Sequence, residues 1–327
     1  MAGTPPALSN NTGVRKQVSV RGPTTHFRSA SVNQQGEQAA GAGREEAKMP
    51  AAQPGTSGYA VELTGCTKQF PTSGGETYFA VRDIDLKVEP GRFVSIVGPT
   101  GSGKSTILNM AAGLLTPSFG EVKSFGEPVT GVNRRASYMF QQDALLPWKT
   151  VIDNVSLGLT MAGVSKAEAH AESRRWLEKV GLKNFADRYP HQLSGGMRKR
   201  TAIAQAWIVN PDILLMDEPF SALDVQTRQI MENELLQLWQ ESGKAVVFIT
   251  HDLDEAIALS DEVVILGAGP GSTVVGSYEI DIPRPRDLLD IRDDPRFVAL
   301  HREIWGRLKV EVSKTYESAL AEEGEAA

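Results

Sequence analysis

From residue 59 onward the chain alternates short apolar runs with longer stretches of helical period. Residues 59–63 and 79–88 read as strands, the second with Val81, Ile84, Leu86 and Val88 marking its buried positions. Between them, Pro71-Thr72-Ser73-Gly74-Gly75 has the composition of a hairpin loop. Phe93-Val94-Ser95-Ile96-Val97 is a further apolar strand, and residues 107–115 return to helical period after a glycine-rich stretch. Strand-like segments recur at 121–125 and 136–140. An amphipathic helix over 166–180 ends at Gly181, a residue type that accepts the left-handed turn after a helix. A strongly apolar strand at 213–216, a helix over 225–241 and a buried strand at 245–249 follow. Strands alternating with helices, several of them apolar throughout, predict a parallel sheet covered on both faces.

Residues 1–56 break this pattern. They are rich in Gly, Ala, Pro, Ser, Thr, Asn and Gln, and bury too little to offset their ordering entropy, so the stretch is expected to be a disordered tail. Its basic residues, Arg15, Lys16, Arg21 and Arg28, read as solvated. The 41% hydrophobic content of the 327 residues is ample for a core. A net charge of -6 argues against a broad basic surface for nucleic acid. The lone cysteine, Cys66, rules out an internal disulfide and a thiolate cluster, leaving a small buried side chain. No apolar run is long enough to span a bilayer, and the N-terminus lacks the charged-then-apolar pattern of an export signal. A soluble, cytoplasmic protein is expected.

The chemistry begins with Gly98-Pro99-Thr100-Gly101-Ser102-Gly103-Lys104-Ser105-Thr106, set between the 93–97 strand and a helix. That context gives the phosphate-loop pattern its meaning. The glycines let backbone N–H groups turn inward around phosphate oxygens. Lys104 would reach the β- and γ-phosphates, Ser105 would hold Mg²⁺, and the helix N-terminus adds partial positive charge. A glycine-rich turn that binds nothing would not need Lys-Ser-Thr directly after its last glycine. The loop predicts a nucleoside triphosphate site.

Three further segments leave predicted strands where an open α/β sheet holds its ligand. Ile213-Leu214-Leu215-Met216-Asp217-Glu218 ends in two carboxylates. Asp217 would orient Mg²⁺, and Glu218 is placed to polarise the attacking water. An Asp-Glu pair closing a strand is common, and it gains weight only beside a phosphate loop. His251 follows 245–249 and is expected at the γ-phosphate, although a lone histidine is more often structural. Gln141 follows 136–140 and opens a loop, where its amide would meet Mg²⁺ or the attacking water. Leu193-Ser194-Gly195-Gly196-Met197 precedes a helix that Ser194 is fit to cap, with Gly195 and Gly196 exposing amides to an anion. Two anion-binding helix starts exceed what one nucleotide needs, so the second is expected to serve a nucleotide held by another subunit.

These motifs, with Ser221-Ala222-Leu223-Asp224, stand in the order and spacing of an ATP-binding-cassette (ABC) ATPase, which residues 59–312 resemble. The Leu-Ser-Gly-Gly signature separates this family from other phosphate-loop proteins. The resemblance implies a phosphate-loop α/β core with a parallel sheet, an antiparallel β part that cradles adenine, and an inserted helical part at about 141–200. It assigns 57–280 to the ATPase domain and 281–327 to an extension with one helix and an acidic tail. It implies that Ser194 and Gly196 close on the γ-phosphate of an opposite subunit and that Asp224 communicates across the pair. Phe70 matches the aromatic that stacks on adenine, with Tyr78 as a substitute and an edge-strand role for Phe70 as the other reading. Met197, Lys199 and Gln205 depart from the residues frequent in the signature helix.

The implied mechanism is a head-to-tail pair of cassettes, a homodimer in the simpler case, sandwiching two ATP molecules with Mg²⁺. Closure drives a membrane partner, and Gln141 with the segment 151–191 resembles the part that docks on a permease. Segments 140–148, 250–256 and Ile282-Pro283-Arg284-Pro285-Arg286 are similar to the bacterial nitrate/sulfonate/taurine importer group, as is the C-terminus around Asp294-Pro295-Arg296-Phe297 and 300–308. That group implies a peripheral protein on the cytoplasmic face of the membrane, with transmembrane permease subunits and, indirectly, an extracytoplasmic solute-binding protein that selects the solute. The rival readings are a soluble ABC ATPase acting on nucleic acid or ribosomes, another phosphate-loop enzyme, and a structural binder. One phosphate loop without sustained heptads, the signature, and an intact Glu218 argue against these in turn.

Overall fold

The computed structural model describes residues 58–72, 75–288 and 290–325. The tail expected over 1–56 lies outside these residues, as does the centre of the 71–75 loop. The chain opens with β1 (Val61–Pro71), β2 (Thr77–Val88), β3 (Phe93–Val97), α1 (Lys104–Ala111), β4 (Phe119–Ser124), β5 (Glu127–Pro128) and β6 (Ala136–Met139). Four helices follow, α2 (Val151–Val155), α3 (Leu157–Met161), α4 (Lys166–Lys179) and α5 (Gly195–Ile208). Then come β7 (Ile213–Asp217), α6 (Val225–Ser242), β8 (Ala245–Ile249), α7 (Leu253–Leu259), β9 (Glu262–Leu266), β10 (Val274–Glu279) and α8 (Pro295–Glu325).

A six-stranded sheet runs in the order β10-β9-β3-β8-β7-β6, parallel except for β10 at its edge. Its central strands are buried and almost wholly apolar because successive side chains enter two different cores. Phe93, Leu214, Met216, Val246 and Phe248 face one core with residues of α2 and α4–α8. Val94, Ile96, Ile213, Leu215, Val247 and Ile249 face the other, filled by α1 and the four-stranded antiparallel sheet β2-β1-β4-β5. In the first core Phe93 meets the Trp239 ring edge-on at 5.5 Å, and Phe248 lies 5.6 Å from Phe93. In the second, Cys66 is buried, its thiol donating to the Glu121 carbonyl at 3.2 Å, and burial pushes that thiol up.

Local chemistry sets the helix starts. Thr150, Ser165, Ser194, Asp224 and Asp252 each cap the following helix by accepting a backbone N–H near its start. Gly181 (φ 72°) and Gly243 (φ 59°) follow α4 and α6 in the left-handed region. The stretch read as a helix at 300–308 is the middle of the longer α8, and β9, α7 and β10 were not among the elements the periodicity marked.

Two buried polar groups tie the last third of the chain together. Arg286, only 7% exposed, donates to the carbonyls of Ile257, Ala258 and Ser260 at the end of α7, and to those of Ile280 and Ile282. Burial, and then the neighbouring Arg284, push its guanidinium down to about 10. Even so it stays charged at neutral pH and satisfies the open end of α7. The segment Ile282-Pro283-Arg284-Pro285-Arg286 is thus clamped to the core. Beneath His251, the Thr250 hydroxyl donates to Glu255, a buried carboxyl that interacts electrostatically with Glu232 in α6. Burial raises both carboxyls above the usual carboxylate range, and the charge of Glu232 pushes Glu255 further the same way.

Each group yields an expected outcome. Arg286→Ala strands several buried carbonyls and should cost at least about 3 kcal/mol, read as a drop in Tm by calorimetry. Arg286→Lys, which keeps the charge but loses the planar fork, should fall between the two. For Glu255, a raised folded-state pKa means stability that is complete in acid and lost as pH climbs past the ordinary carboxylate range toward the folded value. Glu255→Gln cannot ionise, so its Tm should fall less than that of wild type as pH rises above the ordinary carboxylate range; parallel slopes would count against the raised pKa.

Candidate functional site

Four parallel strands deliver the site. β3 ends at Val97 and runs into the phosphate loop, β7 ends at Asp217, β8 at Ile249 and β6 at Met139. Their carboxyl ends lie along one edge, so Gly98, Glu218, His251 and Gln141 emerge side by side. An open cleft of 660 Å³ forms there, lined by Thr100 to Thr106, Gln141, Glu218 and His251, with Phe70 and Tyr78 from the antiparallel sheet.

The loop itself is tightly enclosed. A Cβ on Gly103 (φ 82°) would lie 2.3 Å from Val81 Cγ1, and one on Gly98 would lie 2.9 Å from the Leu266 carbonyl oxygen. Neither position admits another residue without moving the chain. Lys104 is buried and its Nζ donates to the carbonyls of Gly98 and Pro99, each at 2.9 Å. Burial lowers its pKa, with Glu218 and Asp217 opposing that shift. Asp217 moves the other way: burial raises it, while hydrogen bonds from Ser105 and Tyr138 pull it down. The Tyr138 hydroxyl lies 3.3 Å from Asp217 Oδ2. Burial and Asp217 together push that phenol well up, so it stays a neutral donor.

Glu218 is the focus of the cleft. Its backbone sits at φ 43°, a left-handed conformation uncommon for a side chain of this size. It is held there by its own N–H on the Ile249 carbonyl at 2.9 Å, and by the Ser221 hydroxyl on its carbonyl at 3.0 Å. The turn aims the carboxylate at two of the other expected residues. Glu218 Oε2 accepts the Gln141 amide at 3.3 Å and meets His251 Nδ1 at 3.1 Å. Ser105, Gln141 and Asp217 offer only hard oxygens, a donor set suited to Mg²⁺ that keeps water and phosphate ligands. Among the described residues no group of three or more His, Cys, Asp and Glu side chains forms an all-protein cage. The donors fit a metal shared with a phosphate.

Phe70 and Tyr78 face each other across the β1–β2 ladder and are both partly exposed, 38% and 42%. Both aromatics therefore reach the cleft wall. The signature residues do not line it. Ser194 caps α5 by accepting the Met197 amide at 3.3 Å, and Gly195 borders an adjoining hollow of 640 Å³ with Glu218 and His251. Gly196 packs on α6, where a Cβ would lie 2.9 Å from Thr227 Cγ2. Asp224 caps α6, and the Thr227 amide on its carboxylate, at 3.0 Å, holds its pKa below the usual range. Lys199, one of the unusual residues of the signature helix, is buried against Asp143 at 2.9 Å and donates to the Gln141 carbonyl at 2.9 Å. The contacts of Tyr138 with Asp217, of Ser221 with the Glu218 carbonyl and of Lys199 with the loop after β6 were not among the sequence expectations. Tyr138 carried a signal as a polar-tipped aromatic in a strand that needs a partner for its hydroxyl.

The ABC transporter family profile matches residues 81–221. An uncharacterized ABC transporter ATP-binding protein of Methanocaldococcus jannaschii is 43% identical over 255 residues, 78% of this chain and 93% of that protein. The bicarbonate transport ATP-binding protein CmpC of Synechococcus elongatus is 42% identical over 75% of this chain, and the nitrate import ATP-binding protein NrtC of the same organism 40% over 72%. Those matches span 37% and 36% of the cyanobacterial proteins, so this chain corresponds to about a third of each. A dimeric ATP-binding cassette solved in a post-hydrolysis state with ADP and Pi aligns with a TM-score of 0.61 and 34% identity, over 68% of this chain and all of that one. Together the fold, the cleft and these relatives place the chain in the family of ABC transporter ATP-binding proteins, as an ABC ATPase.

Proposed function

We propose that Glu218 is the general base of ATP hydrolysis in this ATPase. The observation that carries it is the convergence of Gln141 and His251 on one carboxylate at the mouth of the phosphate-loop cleft. In this reading the loop amides of residues 98–106 and Lys104 hold the phosphates, and Lys104 exchanges its two carbonyl partners for phosphate oxygens. Phe70 or Tyr78 stacks on the adenine. Glu218 takes a proton from water, Gln141 orients that water, and the imidazole of His251 fixes the carboxylate and reaches the γ-phosphate. Ser105, Asp217 and Gln141 would hold Mg²⁺, which when bound neutralises charge on the β- and γ-phosphates. Of the signature residues only Gly195 borders a hollow beside the cleft, and none lines the phosphate-loop cleft itself. A second cassette is therefore needed to bring such a helix start onto the nucleotide, and a head-to-tail homodimer is the simplest arrangement.

At the level of the cell we infer an importer subunit on the cytoplasmic face of the membrane, coupled to permease subunits and, through them, to an extracytoplasmic solute receptor. The names of the bicarbonate and nitrate relatives support a small anion as solute, with sulfonates and taurine in the same class. Among the described residues no helix is long and apolar enough to cross a membrane, so the inferred membrane contact is through partners.

Glu218→Gln should retain ATP binding, lose turnover by about two orders of magnitude or more, and run as an ATP-dependent dimer on a sizing column. Normal turnover in that variant would remove Glu218 from the role. For the transport assignment, mild-detergent affinity purification from the native cells should recover a polytopic permease. Recovery of ribosomes or DNA-repair proteins in its place would leave the ATPase standing and assign it to soluble work.

A further inference from the structure

The loop between β9 and β10, residues 267–273, lies directly against the phosphate loop. The Ser272 hydroxyl donates to the Ser102 carbonyl, and a Cβ on Gly269 would stand 2.6 Å from the Gly101 carbonyl oxygen. On its other flank the loop hydrogen-bonds to β2: Gly271 N–H reaches the Phe79 carbonyl at 2.6 Å, and Arg82 N–H reaches the Ser272 carbonyl at 2.9 Å. It is thus wedged between the Gly101–Ser102 turn and the strand that carries Tyr78 to the cleft.

The outer side of this wedge is held by α8. Glu311 is only 2% exposed, between the half-exposed Val310 and Val312. Its Oε2 accepts the Ala268 amide at 3.0 Å, and its Oε1 meets Lys314 Nζ at 2.8 Å. A Cβ on Gly267 would come within 3.3 Å of Glu311 Oε2, so the loop backbone closes over the carboxylate. Burial alone would raise this acid, but Lys314 and the Ala268 amide outweigh it and hold the pKa below the ordinary value. The contact with Ala268 is therefore a charge-assisted hydrogen bond, stronger than a neutral one. A helix that needed only to pack here would carry an apolar side chain at this position, since a buried carboxylate is costly unless it is fully engaged.

We propose that Glu311 is a positioning residue for nucleotide binding: it fixes the 267–273 loop through Ala268, and that loop fixes the Gly101–Ser102 turn through Gly269 and Ser272. The proposal rests on the reading that residues 98–106 hold the ATP phosphates. It gives the C-terminal helix a defined route to the cleft, along one carboxylate and one short loop.

The test measures binding of a fluorescent ATP analogue and steady-state ATPase activity on the full chain. Glu311→Ala should raise the nucleotide Kd and the KM for ATP by about three- to tenfold while kcat changes less than about twofold. Glu311→Gln, which keeps an acceptor for the Ala268 amide, should restore most of the affinity. Ser272→Ala cuts the other end of the same route and should weaken binding similarly. The double variant should bind no worse than the weaker single one, because both changes break one path. Wild-type affinity in Glu311→Ala, or fully additive losses in the double variant, would overturn the proposal. If Glu311→Ala does not fold, Ser272→Ala and Glu311→Asp carry the test, the aspartate being one methylene too short to hold Ala268; wild-type Kd in both would overturn it. Lys104→Ala separates the two readings. Loss of binding there with normal binding in Glu311→Ala would sink only the role of Glu311, whereas undiminished binding in Lys104→Ala would remove the phosphate-loop assignment and the proposal with it.

Discussion

The site depends first on main-chain hydrogen bonding between parallel strands. Ile96 and Asp217 both pair with Ile249, and Met139 pairs with Met216, so β3, β8, β7 and β6 end at nearly one level. Parallel strands put their carboxyl ends on one edge, and whatever residue follows each strand is delivered there. Gln141 and Glu218, 77 residues apart in sequence, meet for this reason. The register cannot drift. A slip of one residue in β7 would drive Leu214 and Met216 from one core into the other and turn Asp217 away from Ser105 and Tyr138. Two-sided burial thus does more than stabilise the sheet, because it fixes where the charges emerge.

The charges are balanced locally at the same edge. Lys104 is lowered by burial and Asp217 raised by it, and each opposes the shift of the other. Glu218 adds a second carboxylate within reach of the lysine, on a backbone whose left-handed φ of 43° is of the kind that costs on the order of 1–3 kcal/mol. The Ile249 carbonyl and the Ser221 hydroxyl hold that conformation in place. The strain has a visible geometric result: the chain turns out of the sheet immediately after Asp217, and the two adjacent carboxylates take different partners. Asp217 faces Ser105 and Tyr138, while Glu218 faces Gln141 and His251.

Most of this architecture was legible because it follows from local pattern. The phosphate loop, the apolar strands before Gln141, Glu218 and His251, and the capped start of α5 all lie within short stretches whose residue types dictate their shape. What stayed hidden depends on which strands become neighbours. Tyr138 touches Asp217 only because β6 pairs with β7, and no sequence period announces that pairing. The last third of the chain was harder still. Arg286 sits in a charged, proline-rich segment yet is buried, since its partners are carbonyl oxygens that the sequence does not display. In α8 the apolar pattern fails past residue 308, where Glu311 turns inward and Val310 and Val312 stay exposed. A carboxylate engaged by a backbone amide inverts the usual rule of apolar inside and polar outside.

The departures in the signature helix gain a physical meaning from the same logic. Lys199 is only 2% exposed, and an ammonium at that depth needs its partners. It finds the Asp143 carboxylate and the Gln141 carbonyl, both in the loop after β6, and Arg198 adds a second contact to Asp143 at 3.1 Å. A glutamine at position 199 would give this loop a neutral hydrogen bond, whereas lysine gives it a charged one, which is roughly twice as strong. The loop after β6 is thereby tied to α5 by its main chain and to Glu218 by the Gln141 side chain. Any displacement of α5 relative to the sheet must either carry the Gln141 backbone with it or break a buried ion pair. The signature helix and the residue that touches Glu218 are therefore joined through one buried ammonium.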